Sequence, residues 1–225
     1  MLAFDLNCDL GEGCPNDAAV MPWITSANIA CGAHAGDPQT MRHTLALARV
    51  HGVQVGAHPG FPDREHFGRR ELARGTEETL NDCVYQIGAL LGLARVEAVT
   101  IAYVKPHGAL YNMACRDAAL AQPVVHAAAV FGLPVMGLPA SALEQAAQAA
   151  GLPFLREGFA DRRYQPDGSL VPRSRPDAML DDPAEAAAQI RWLVAEHGVH
   201  SICVHGDRPG VVEFVRRLKE HFPTP

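Results

Sequence analysis

The sequence predicts an α/β protein: parallel strands, each followed by a helix, arranged as a closed or nearly closed TIM-like barrel. Three observations carry this. Short apolar runs alternate with helix-period segments along the chain, the order that gives parallel β/α units. There are roughly seven such runs, near the eight of a full (β/α) barrel. Several of them also finish alike, because His34-Ala, His58-Pro, His107-Gly and His205-Gly each set a histidine before a small or rigid residue. At 225 residues and 48% hydrophobic, the chain can bury one full core, so a single domain over 1–225 is expected.

The first strand covers residues 2–10 and alternates strictly. Phe4, Leu6, Cys8 and Leu10 share one face, while Asp5, Asn7 and Asp9 share the other. A first strand in an α/β chain is covered on both faces, so this polar row needs partners. A second strand end falls at 27–34, closing on His34. Asp37-Pro38 then opens a helix with Asp37 as N-cap, Met41, Leu45 and Ala48 as its apolar stripe and Gly52 as its stop. Capping fully accounts for Asp37. Residues 53–60 form the third strand end at His58, followed by a charged segment, 61–75. Thr76 is expected to cap the next helix, with Glu77 and Glu78 in its first turn.

A strand at 99–104 feeds into Lys105-Pro-His107-Gly-Ala-Leu-Tyr111. Residues 118–131 read as a helix, 134–138 as a strand, 141–150 as an Ala-rich helix and 153–157 as a strand. The stretch 158–181 has no sustained period, and an irregular segment of that length in a compact domain is usually functional. Asp182-Pro-Ala-Glu185 reads as a capping box. The last strand, 201–207, ends in His205-Gly-Asp207, and the last helix is 211–222. Asp207 has a plain reading as the cap of that helix.

Lys105 stands out against the composition. The chain has 17 arginines and two lysines, Lys105 and Lys219, and Lys219 lies in a polar helix. A charge at the end of an apolar strand is costly unless it is paired or used. Either it pairs a structural carboxylate or it works in a site. In β/α barrels the active site gathers at the C-terminal strand ends, so Asp9, His34, His58, Lys105, His107, Glu157, His205 and Asp207 converge if the strands close. Nine arginines follow two of these ends: Arg64, Arg69, Arg70 and Arg74, then Arg156, Arg162, Arg163, Arg173 and Arg175. Surface salt bridging explains any one of them. Together they point to a positive rim and an anionic substrate, a carboxylate or a phosphate.

A net charge of −6 without a basic tail argues against nucleic-acid binding. The longest apolar run, 124–138, is broken by His126, Gly132 and Pro134 and cannot span a bilayer. The start, Met1-Leu-Ala-Phe-Asp5, is no signal peptide. Six cysteines without a C-x-x-C pair read as reduced thiols, and the expected compartment is the cytoplasm. No G-x-x-x-x-G-K-[ST] loop is present, nor a G-x-G-x-x-G following a strand.

Six motifs in order, Asp5-Leu-Asn-Cys-Asp-Leu-Gly-Glu12, Ala27-Asn-Ile-Ala-Cys-Gly-Ala-His-Ala-Gly-Asp-Pro38, Gly56-Ala-His-Pro-Gly60, Val104-Lys-Pro-His-Gly-Ala-Leu-Tyr111, Glu157-Gly-Phe-Ala-Asp-Arg162 and Val204-His-Gly-Asp207, resemble the LamB/YcsF family over nearly the whole chain. One departure is Ala33, where the family more often has an aromatic. The family includes the A component of bacterial 5-oxoprolinases. The resemblance implies a distorted, seven-stranded barrel of the glycoside hydrolase/deacetylase type. It also implies ATP-dependent opening of 5-oxo-L-proline to L-glutamate together with two further components, the B and C subunits.

For that chemistry Lys105 is assigned to developing charge or phosphate, His107 to acid/base work and Asp9 to orienting water, with His205 beside them. Asn7, Tyr111, Glu157, Arg162 and Asp207 are assigned to substrate. ATP enters as co-substrate, held here at a site of neither glycine-loop type or by the partners. Because related deacetylases use a similar trio, Asp9, His34 and His58 are the candidate ligands of a divalent metal. Two other readings stay open: a metal-dependent deacetylase acting on an acylated sugar, and a non-catalytic lactam-binding subunit that stimulates a partner ATPase.

Overall fold

The computed structural model describes residues 4–165, 168–173 and 175–222. Among these residues run seven strands, β1 (Asp5–Leu10), β2 (Ser26–Ala30), β3 (Gln54–His58), β4 (Ile101–Val104), β5 (Val135–Gly137), β6 (Phe154–Phe159) and β7 (Ser201–His205). They pair in chain order, all parallel, and β7 returns to β1 to close the barrel. The same residues hold eight α-helices: α1 (Asp17–Val20), α2 (Pro38–His51), α3 (Thr76–Val96), α4 (Gly108–Arg116), α5 (Ala118–Val130), α6 (Ala142–Ala149), α7 (Pro183–His197) and α8 (Val211–Glu220). No helix among the described residues is long and apolar enough to cross a membrane.

The alternation of β1 explains the two halves of the core. Leu6, Cys8 and Leu10 turn outward into the apolar layer beneath the helices. Asp5, Asn7 and Asp9 turn into the barrel, where each level supplies partners. At the bottom, Asp5 accepts from Thr25, Ser26 and Ser201. One level up, Asn7 donates to Ser201 and Glu157 and accepts from Asn28. At the top, Asp9 lies level with Asn28 on one side and His205 on the other. The polar row is thus the packed interior of the barrel.

Several local expectations change. The second strand stops at Ala30, so His34 sits on the following loop. The stretch after Lys105, assigned no element from the pattern, folds as α4, which opens at Gly108 with a φ of 53°. α1 and the 3-10 turn at Met21–Trp23 also lie in a segment that shows no clear period.

Gly75, not Thr76, is the N-cap of α3, and Glu78 accepts from its N–H at 2.9 Å. Asp182 does cap α7, accepting from Ala184 N–H at 3.0 Å. Glu185 turns instead towards Arg163, 3.6 Å away, so the capping box has only its first half. Asp37 caps α2 and Gly52 ends it with a left-handed φ of 66°. Asp207 caps nothing, since α8 starts after Gly210 with no side-chain cap. Leu2 and Ala3 of the expected first strand lie outside the described residues, as do Met1 in the N-terminal stretch and Pro166, Asp167 and Ser174 in the irregular segment.

Candidate active site at the barrel mouth

Parallel closure brings the C-terminal strand ends to one mouth, which opens into a cavity of about 630 Å³. Asp9, His58, Lys105, His107 and His205 line its floor, with Glu12 beside them. The irregular segment after β6 forms one wall, held by antiparallel bridges Arg162↔Met179 and Tyr164↔Leu170. The loop after β3 and the start of α4 form the other.

Lys105 is 2% exposed and is the hub of the floor. Its Nζ donates to Asp9 Oδ1 at 2.8 Å, lies 2.7 Å from Glu157 Oε1 and 3.1 Å from Cys203 Sγ. Burial disfavours the charged form of every member of this group. Against it, the Asp9 carboxylate holds Lys105 well above its ordinary value, and Lys105 with the neighbouring histidines holds Asp9 well below the usual carboxylate range.

Glu157 goes the other way. Complete burial raises it although Lys105 touches it, and the neighbouring Asp9 carboxylate adds to the rise. The resulting floor is an Asp9–Lys105 ion pair with the Glu157 carboxyl buried against the same ammonium. Asn7 and Glu157 are fully buried and lie beneath the lining, so they position Lys105 rather than reach into the cavity. Tyr111 lines the wall, with its hydroxyl buried and without a hydrogen bond.

Beside Lys105 lies a histidine cluster. His34 and His107 stack with centroids 3.7 Å apart, and His58 meets both edge-on. Close backbone approach makes room for them: a Cβ on Gly68 (φ 63°) would fall 2.7 Å from His34 Cβ, so a side chain there is excluded twice over. Burial and the stacked His107 lower His34 to about 4, and burial takes His58 to about 3, against the pull of Asp9.

Glu12 faces this cluster, 3.3 Å from both His34 Nε2 and His107 Nδ1. Sequence pattern alone assigns Glu12 no role, since it sits between two glycines past the strand; only its place at the end of the first motif marks it. Among the described residues, Glu12, His34, His58 and His107 bring their ligand atoms within 4.8 Å of one another, and so do Asp9, Cys203 and His205. The structure therefore redistributes the candidate trio. Asp9 Oδ1 is occupied by Lys105 and Asn28, its Oδ2 is 3.6 Å from His58, and it groups with His205 rather than with His34. His205 is oriented by Asp161, which accepts from its Nδ1 at 2.9 Å and from its backbone N–H at 3.0 Å. Asp161 is a second residue to which the sequence pattern assigns no role.

The positive rim is smaller than the nine arginines implied. Arg69, Arg162 and Arg173 reach the cavity, joined by Arg116 from α4. Arg64 donates to the Gly32 and Gly36 carbonyls, and Arg70, Arg74, Arg156, Arg163 and Arg175 pair with nearby carboxylates. Asp207 is taken up at the rim by Arg69, at 2.5 Å, and by Arg173, at 3.9 Å.

Arg162 differs from the rest. It is 6% exposed, donates to the Val171 carbonyl, and its Nε has no partner. Burial and the adjacent Arg173 push it down to about 10. Among the described residues no carboxylate forms an ion pair with it. A buried cation left without a counter-ion at the edge of a cavity is a seat for an anion.

The fold and floor define a seven-stranded parallel β/α barrel with a buried acid–lysine–histidine centre at its C-terminal mouth. The chain belongs to the LamB/YcsF family, whose model matches residues 4–224. It is 50% identical over 234 residues to a protein of Symbiobacterium thermophilum named as the A subunit of 5-oxoprolinase, covering 96% of this chain and 90% of that one. A Neisseria meningitidis protein of the same name is 48% identical, covering 98% and 96%. Among solved structures, a lactam utilization protein from Thermus thermophilus superposes with a TM-score of 0.90 at 40% identity, over 98% of this chain and 96% of that one.

Proposed function

We propose that this chain is the A subunit of a cytoplasmic 5-oxoprolinase. With its B and C partner subunits it opens the lactam of 5-oxo-L-proline to L-glutamate as ATP becomes ADP and phosphate. The names of its relatives, the A subunit of 5-oxoprolinase and a lactam utilization protein, support this reading. The observation that carries the assignment to this cavity is the pairing of a buried ammonium, Lys105, with a buried guanidinium without a counter-ion, Arg162, across one mouth.

A five-membered lactam is a poor electrophile, and phosphorylation of its carbonyl oxygen supplies a leaving group. One water then enters at the carbonyl carbon and the ring nitrogen departs with a proton, while a second water is consumed in releasing phosphate. In this reading Arg162 holds the substrate carboxylate, with Arg173 and Arg69 close by. Lys105 stabilises negative charge that develops at the carbonyl or phosphoryl oxygen. Asp9, ionised beside it, orients the attacking water. His205, held by Asp161 through Nδ1, delivers the proton to nitrogen, whereas both ring nitrogens of His107 are engaged by His58 and the Phe67 carbonyl. The ATP-dependent step is assigned to the complex with the partners, as the chain has no phosphate loop of the P-loop type.

The test is reconstitution with the B and C subunits, reading glutamate formed from 5-oxoproline and ATP. Glutamate should appear with the full set and fail when this chain is left out. Arg162→Gln should raise KM for 5-oxoproline more than it lowers kcat. A complete complex that forms no glutamate, or an Arg162 variant with unchanged kinetics, would refute the reading.

A further inference from the structure

The chemistry above leaves Glu12, His34 and His58 without a task, and their hydrogen bonds pose a problem of their own. His58 Nδ1 lies 2.7 Å from the Lys105 carbonyl. A carbonyl oxygen can only accept, so the ring carries its proton at Nδ1 and Nε2 is a bare lone pair. His107 Nε2 lies 2.8 Å from the Phe67 carbonyl, so there the proton is on Nε2 and Nδ1 is the lone pair. Those two lone pairs face each other at 3.0 Å. Two acceptors do not hold that separation unaided; something positive belongs with them, either a shared proton or a metal ion.

The surroundings favour the ion. Glu12 Oε1 adds a third acceptor, 3.3 Å from His107 Nδ1 and 3.9 Å from His58 Nε2. An ion bound at about 2.0–2.2 Å by nitrogen and oxygen sets neighbouring ligand atoms roughly 3.0–3.5 Å apart. The separations here match that spacing or exceed it slightly, so the three atoms form one face of a coordination polyhedron. His34 Nε2 contacts the same Glu12 oxygen at 3.3 Å and orients it, the role of a hydrogen-bond partner to a ligand. Glu12, His58 and His107 all line the cavity, so the opposite side of the polyhedron opens to it.

We propose that Glu12, His58 and His107 bind one divalent first-row transition ion of the zinc class, with an open position facing the cavity. Two imidazoles and one carboxylate form a donor set suited to such an ion, and three protein ligands with an open side is the catalytic rather than the structural form. A bound ion supplies Lewis acidity next to Lys105. The inference holds whether or not the substrate is a lactam, since it rests only on ligand geometry.

The experiment uses the full chain, stripped with a chelator, dialysed and titrated with zinc chloride. Metal content after desalting and the thermal melting temperature are the readouts. One ion per chain and a raised melting temperature are expected. Glu12→Gln and His107→Asn should each weaken zinc binding by about tenfold or more, the scale on which even outer partners act. His205→Gln, whose ring belongs to Asp161, should keep one ion per chain.

Nitrogen NMR of the histidine rings gives a measurement that does not depend on the variants folding. Zinc should shift His58 Nε2 and His107 Nδ1 and leave their partner nitrogens protonated. Failure of the parent chain to retain zinc would overturn the proposal, and one of the two rings found doubly protonated would establish the shared proton in its place. Loss of the ion in His205→Gln but not in His107→Asn would move it to the Asp9, Cys203 and His205 group and overturn the proposal equally.

Discussion

Lys105 could have been either a structural charge or a working one, and its surroundings make it both. It is the counter-ion of Asp9 and the neighbour of Glu157, at 2.8 and 2.7 Å, in the buried floor of the cavity. Replacing it with methionine leaves two buried carboxylates facing each other, and breaking a buried pair in this way costs about 3–5 kcal/mol. Lys105→Met is therefore expected to melt lower and also to lose roughly 10²–10³ in kcat, the scale for one electrostatic donor. The double variant Lys105→Met/Glu157→Gln separates the two effects. Removing one carboxylate charge should restore much of the melting temperature and none of the turnover. Lys105→Arg should not rescue activity, because a planar guanidinium does not fit a point contact to Asp9, Glu157 and Cys203. Glutamate formation by the reconstituted complex, measured beside thermal melting, decides it. A double variant that regained turnover along with stability would show Lys105 to be structural only.

At the scale of elements, the barrel interior ties strand packing to the site. Tyr103 on β4 lies across Gly56 on β3, at the point where the pairing of these strands shifts register. Its hydroxyl donates to Asn28 at 2.7 Å, and Asn28 donates to Asp9 Oδ1 at 2.8 Å. A Cβ at position 56 would overlap the Tyr103 ring, so Gly56→Ala must move a large, fully buried side chain. Overpacking of this kind costs about 1–3 kcal/mol. Because the displaced ring is two hydrogen bonds from Asp9, kcat should fall as well, although residue 56 does not line the cavity. Gly92, an exposed helix position where a Cβ meets nothing, is the control, and Gly92→Ala should be neutral or slightly stabilising. Denaturant unfolding of both variants checks the first half and turnover the second; a Gly56→Ala protein as stable as its parent would show that the interior yields more easily than its packing implies.

At the scale of the molecule, closure depends on how β6 and the segment after it meet β7. Asp161 is completely buried there and accepts from the ring and backbone of His205, with Arg208 at 4.0 Å. Burial raises its carboxyl, but His205 and Arg208 outweigh this and hold it below its ordinary value. A carboxyl depressed in the folded state stabilises the fold above its unfolded pKa of about 3.9, and that contribution is lost as pH falls through the lower folded value. The difference in melting temperature between the parent and Asp161→Asn should thus be full above about pH 5 and shrink as the pH drops below about 4. A difference independent of pH would show that Asp161 acts through packing alone.

Much of this was legible in the chain itself. Period-2 and helical patterns identified all seven strands and most helices, because backbone geometry imposes those periods on any buried face. The polar row Asp5, Asn7 and Asp9 pointed to an enclosed interior, and Lys105 was conspicuous as a costly charge in an arginine-rich protein. The motifs identified the family that the comparisons show. Tertiary structure alone decided the rest. Glu12 and Asp161 lie outside any periodic element, so only folding brings them to histidines distant in the sequence. Six of the nine rim arginines turned to nearby carboxylates or carbonyls, since pairing depends on distances that sequence spacing does not set. α4 has only 9 residues, too few for an apolar stripe to stand out in the pattern, and its place is decided by packing against α5 and α6. Composition and pattern determined which residues are costly to bury; which partner meets that cost depended on the closing of the barrel, because parallel strands joined through helices bring their ends together only in three dimensions.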